Sequence, residues 1–102
     1  MFTWQILNKE SIQSVRAILS RVEEAEAKHK QGDLNKAAEI LLSTKEAIWK
    51  TGDIFKPEQS MFRSLMIPID MTATKWKSGN RAIDTSKISA SIKVILEKIS
   101  RR

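Results

Sequence analysis

His29 is the only histidine in the chain, and cysteine is absent. A histidine-based or thiolate metal site therefore cannot be assembled within one copy, because such sites draw several imidazole or thiolate ligands together. At helical spacing His29 falls one turn after Glu26, on an apolar stripe. A rim histidine hydrogen-bonded near a helix end accounts for it better than a general base does. Glu23, Glu24 and Glu26 form the densest carboxylate cluster. Glu24 and Glu26 each precede a lysine by four residues (Lys28 and Lys30), the order that favours helix-surface ion pairs, so a solvated face is expected. Serines and threonines are plentiful, but a nucleophile needs a base and an orienting group, and spacing supplies neither. All three glycines are followed by Asp or Asn and none forms a Gly-x-Gly, so they mark element ends and not a phosphate cradle. The expectation is a protein with no catalytic residues, no cofactor and no metal.

The residues with something to bind are of two other kinds. Lys45 falls near the centre of an otherwise apolar helical face, where it either snorkels its charge outward or marks a face that extends to a partner. Trp49 lies on the same face, and Met61, Met66 and Met71 supply adaptable apolar surface farther along. Lys45, Trp49, Met61 and Met66 are the candidate partner-binding set. The second kind is basic. The formal charge is +6, yet residues 1–73 carry ten basic and ten acidic side chains. The excess sits in residues 74–102, where Lys75, Lys77, Arg81, Lys87, Lys93, Lys98, Arg101 and Arg102 face only Asp84 and Glu97. Trp76, between Lys75 and Lys77, is placed as a base-stacking ring would be. Lys75, Trp76, Lys77, Arg81, Lys87, Lys98, Arg101 and Arg102 are thus the candidate nucleic-acid-binding set. No zinc ligands, RNP-type aromatics or helix-turn-helix pattern accompanies them.

The elements that must position these residues begin with a hairpin. Ile12, Val15, Ile18, Leu19, Val22 and Ala25 recur at spacings of three and four, a helical stripe. Asn8 is the expected N-cap of that helix. Gly32 ends it and Asp33 caps a second helix, Leu34 to Lys50, with Leu34, Ala37, Ala38, Leu41, Leu42, Ile48 and Trp49 on one face. Gly52-Asp53 repeats that stop-and-cap signal, as does Gly79-Asn80. An antiparallel αα hairpin leaves one face open, so a further element must close it. The segment Gly32 to Leu41, with Ala37 and Leu41 at the characteristic small and large positions and Ala25 in the first arm, resembles the second helix of a tetratricopeptide repeat. The first arm departs from that family in lacking its tryptophan, leucine and tyrosine, and no second copy follows. Such repeats need stacked neighbours to bury their faces. Trp49-Lys50-Thr51-Gly52 is one residue longer than the Trp-x-Gly turn of small secreted helical-hairpin proteins. Pro57 and Pro68 also interrupt the long second helix which that family has.

Beyond the hairpin, Lys56-Pro57-Glu58 opens a short helical segment carrying Met61, Phe62, Leu65 and Met66, which should end by Ile67 because residues before a proline avoid helix. Phe2, Trp4 and Ile6 alternate with polar residues, as do Ile67, Ile69, Met71 and Ala73. Two readings stand: the runs pair as a short β ribbon, or Pro68 opens a short helix ending at Gly79. Asp84 is the expected N-cap of a last helix, in which Ile88, Ile92, Ile95, Leu96 and Ile99 form the stripe that covers the hairpin. A length of 102 residues suits one domain. No apolar run approaches the roughly 20 residues that span a bilayer, and Met1 begins no signal-like pattern, so a cytoplasmic location is expected. The fold expected is an all-α single domain over 1–102: three long helices with one or two short segments between. Its expected role is docking another protein, or a second copy of itself, with nucleic-acid binding by residues 74–102 as the alternative and no membrane role.

Overall fold

The computed structural model describes residues 2–101, with side chains described for residues 10–101. It is an all-α bundle. Helix α1 (Phe2–Lys30) and helix α2 (Leu34–Ile54) form the hairpin. A single 3-10 turn (Lys56–Glu58) leads into α3 (Gln59–Ser64), α4 (Met66–Lys77) and α5 (Ser86–Ser100). The described residues contain no strand. The ribbon reading is thereby overturned: both of its runs lie in helices, α1 and α4. Pro68 sits in the first turn of α4, where its missing N–H is one that a helix start leaves unpaired anyway.

The turn between the arms forms as its sequence requires. Gly32 has φ +87°, the left-handed conformation that a Cβ penalises. Its N–H reaches the His29 carbonyl and the Asp33 N–H reaches the Lys28 carbonyl, satisfying two orphan acceptors of α1. Asp33 then accepts from the Lys36 N–H at 3.1 Å and caps α2. The same pair of bonds recurs at Gly79, where Gly79 N–H meets the Trp76 carbonyl and Asn80 N–H meets that of Lys75.

Three local expectations fail, each for a physical reason. Asn8 does not stand at the start of α1, which already runs from Phe2; no Gly or Pro interrupts residues 2–12, and an established helix gains a hydrogen bond with each residue added. Gly52 does not end α2, which continues to Ile54. It is buried inside the helix, and a Cβ there would lie 3.1 Å from the Phe62 Cβ, so its smallness lets α3 approach. Asp53, freed from capping, becomes an anchor: its carboxylate accepts from Gln59 at 2.9 Å and from Arg63 at 3.2 Å. The expected Glu24–Lys28 and Glu26–Lys30 pairs also do not form. Glu24 pairs with Arg21 at 2.8 Å, and Glu26 turns inward.

One continuous core joins all the helices. Val15, Ile18, Val22 and Ala25 of α1 meet Ala37, Ala38, Ile40, Leu41 and Ile48 of α2. The cover over this pair is divided. Helix α5 lies along α1 through Ile88, Ile92, Ile95 and Ile99, while α4 lies along α2 through Ile69, Ala73 and Trp76. The last helix therefore closes the core as expected, with α4 supplying the other half of the lid. No described helix is long and apolar enough to cross a membrane.

Candidate partner-binding groove

Helices α4 and α5 each bury one face on a different arm of the hairpin, and they scarcely touch each other. Packed helix axes lie about 8–10 Å apart, so the arms hold α4 and α5 at a distance that only long facing side chains could fill. The side chains on the facing flanks leave the gap partly open. Pro68, Met71, Thr72 and Lys75 from α4, with Ile83, Lys87 and Ile88 opposite, line a depression of ≈ 420 Å³. Farther along the same seam, Met61 and Ser64 of α3 face Ala90, Ser91, Val94 and Ile95 of α5 across a depression of ≈ 260 Å³. The two depressions follow one another along α5, the first facing α4 and the second facing α3. Their walls are mainly apolar, and Met71 and Val94 are half exposed, at 54% and 47%.

The loop 78–85 that ties α4 to α5 is held by a polar clasp beneath it. Glu26 Oε1 accepts from both the Thr85 N–H and the Thr85 hydroxyl, each at 2.7 Å. Its other oxygen meets His29 Nδ1 at 2.7 Å, and His29 Nε2 meets the Arg81 carbonyl at 3.0 Å. The His29 ring stacks on Trp76 with centroids 4.8 Å apart and planes 13° from parallel. Trp76 in turn donates its indole N–H to the Ile83 carbonyl at 2.7 Å. Burial pushes the Glu26 carboxyl up, but the Thr85 N–H, the His29 ring and the Thr85 hydroxyl outweigh it and hold the group below its ordinary value. Both His29 nitrogens face acceptors of the chain itself. Asp84 does not cap α5 directly; it accepts from the Ser86 N–H at 3.0 Å and the Ser86 hydroxyl at 2.7 Å, one turn-like step earlier. Those two bonds hold its carboxyl below the ordinary value.

The candidate residues from the sequence separate on this framework. Met61 lines the groove. Met66 is partly buried against the core. Lys45 is engaged within the chain: its ammonium donates to Asp70 at 2.7 Å and links α2 to α4. Trp49 is 46% exposed beneath the Arg63 guanidinium, which lies 4.1 Å from the ring centroid. Trp76 is fully buried, so its faces are not open to a stacking base; that part of the nucleic-acid set is corrected. Its stripe position explains why: it falls on the α4 face that also carries Ile69 and Ala73. Lys75 and Lys87 converge on the groove mouth. Lys98 follows Lys87 by eleven residues, which returns it to nearly the same side of α5. Lys77 lies about 200° around α4 from Lys75. Arg81 lies across the α1–α2 turn, over Gly32. Arg101 is paired with Glu97, and Arg102 lies outside the described residues.

Spacing in single helices could not have revealed the groove, since it arises where two helices from different arms fail to meet. The clasp left a faint signal, His29 and Glu26 one turn apart on an apolar stripe. No cluster of three or more metal-ligating side chains occurs among the described residues. The arms of α1 and α2 together span far more than the 34 residues of a tetratricopeptide unit, so the likeness of Gly32–Leu41 to that family is local. No protein-family model, curated protein or solved structure matches the chain.

Proposed function

We propose that this protein is a non-catalytic interaction module that docks another protein in the groove between α4 and α5. The observation that carries the reading is the pair of mainly apolar depressions along α5, lined by Pro68 and Met71 in the first and by Met61 and Val94 in the second. Exposed apolar surface that is clustered marks interaction sites more often than scattered apolar residues do. The clasp accounts for the one histidine as a structural group, since both His29 nitrogens are engaged within the chain. Photo-crosslinking in cell lysate tests the docking reading, with a benzophenone residue at Ser91 in the groove or at Ala47 on the opposite face of the hairpin. The expected result is a discrete adduct from position 91 that excess wild-type protein competes away and a Val94→Glu competitor does not. Equal labelling from both positions, or none from 91, overturns the reading.

A second reading, nucleic-acid binding, is favoured by one observation. Lys75, Lys77, Lys87, Lys93 and Lys98 have no ion-pair partner among the described residues. Phosphate binding by such lysines would weaken linearly in log affinity with log salt. A salt-titrated gel shift with mixed DNA and RNA decides it, and absence of binding at low salt removes it.

A further inference from the structure

We infer that the segment suited to the α4–α5 groove is an acidic amphipathic helix of a partner protein, its apolar stripe in the seam and its carboxylates over Lys75 and Lys87. This rests on the groove reading and adds the partner's chemistry. The length fits a short helix: along α5 the lining runs from Lys87 to Ile95, about 12 Å, which matches some two helical turns. The apolar lining fits the stripe of such a helix, whose anchors recur every three or four residues.

The charge is what selects the sign. The acidic side chains of α4, α5 and the loop between them are engaged within the chain, although Asp84, which lines the wider depression with Lys75 and Lys87, keeps its charge. Asp70 holds Lys45, Asp84 holds the Ser86 N–H and hydroxyl, and Glu97 holds Arg101. Lys75, Lys87 and Lys98 have no ion-pair partner among the described residues, and at the wider end Lys75 and Lys87 outnumber Asp84. Lys75 and Lys87 flank that end from opposite walls. Lys98 falls on the α5 side facing the narrower end. A basic helix would meet these lysines unpaired, and a neutral one would leave them without partners while removing water around them. Complementary charge steers encounter and fixes register, whereas like charge excludes wrong partners. The opposite face of the hairpin lacks this feature: in its groove Arg21 is paired with Glu24 and Lys50 with Glu46.

A displayed library of amphipathic helices of about 16 residues tests the inference, long enough to cover the wall with about one turn to spare at each end. Apolar anchors are kept fixed, and the polar positions are drawn evenly from Glu, Gln and Lys. Selection is made on the full chain, with counter-selection on Val94→Glu to keep only clones that need the groove. Expected is strong enrichment of Glu over Lys among those clones. Expected too is a loss of at least about tenfold in affinity on a Lys75→Glu/Lys87→Glu double variant, equal to about 1.4 kcal/mol. Both lysines are exposed, and circular dichroism and melting temperature should match the wild type. Groove-dependent clones without Glu enrichment, or unaffected by the double variant, overturn the acidic assignment and leave the groove reading standing. A failure to recover any groove-dependent clone, together with no adduct from position 91, overturns both. Displacement of the clones by a short single-stranded DNA that binds more tightly than they do reassigns the lysines to nucleic acid and also overturns it.

Discussion

Replacing Glu26 by Ala should unlock the loop that joins α4 to α5. The carboxylate is 17% exposed and serves three donors, the Thr85 N–H, the Thr85 hydroxyl and His29 Nδ1. Hydrogen bonds to a charged group contribute roughly 1.5–3 kcal/mol each, and a donor left unsatisfied when buried costs about 1–3 kcal/mol. The three bonds share one acceptor group and are not additive, and water will reach some of the freed donors. The expected net loss is therefore about 2–4 kcal/mol. Against a total stability of ~5–15 kcal/mol for a domain, that is a large fraction. Urea unfolding followed by far-ultraviolet circular dichroism measures it through the midpoint and slope. The pH dependence supplies a separate check. The Glu26 carboxyl is held below its ordinary value of 4.5 in the folded state, so the unfolded chain binds its proton first as pH falls. Its contribution is fully present above that value and is lost as pH descends through the lower, folded one. Glu26→Gln keeps an acceptor oxygen for Thr85 but removes the charge, so it should flatten this part of the acid limb while losing less stability at neutral pH. A loss below about 0.5 kcal/mol for Glu26→Ala, in the range of ordinary surface substitutions, would refute the clasp as a structural element.

Three further outcomes follow from the packing. Trp76→Phe removes the N–H that serves the Ile83 carbonyl and part of the stack on His29, and should cost about 2–3 kcal/mol in chemical denaturation. Gly52→Val places a branched side chain against Phe62 and should destabilise by about 1–3 kcal/mol, read as a drop in melting temperature. Lys45→Met removes an ion pair that is 37% and 50% exposed at its two ends; a shift below about 1 kcal/mol is expected, and a larger one would show that α4 depends on it.

The hairpin was legible in the sequence because each of its signals acts locally. Gly32 and Asp33 do in the structure what a left-handed glycine and an N-cap aspartate do anywhere, and the period of Val15, Ile18, Val22 and Ala25 needs only one helix to have meaning. The α5 stripe was legible for the same reason. Gly52-Asp53 misled because the same dipeptide can serve two ends: at Gly32 it supplies a backbone conformation, whereas at Gly52 it supplies space for Phe62. That choice is made by α3, fifty-ninth residue onward, and not by the neighbours of Gly52. Glu26 misled for a similar reason. Its i+4 lysine was the nearest partner in sequence, but the Thr85 donors, 59 residues away, had stronger need of it. Trp76 read as a possible stacking platform because its flanking lysines are exposed, yet helix geometry turns a residue and its neighbours to different sides. The groove had no sequence signature at all, since it is a separation between helices and not a property of either.

Each wall of the seam stands on its own foundation, α4 on α2 and α5 on α1, bridged by the clasped loop at one end and by α3, which touches both, at the other. The gap thus behaves as a pair of jaws mounted on the hairpin's two prongs. Whatever spreads the prongs, even at a site remote from the opening, would change the bite.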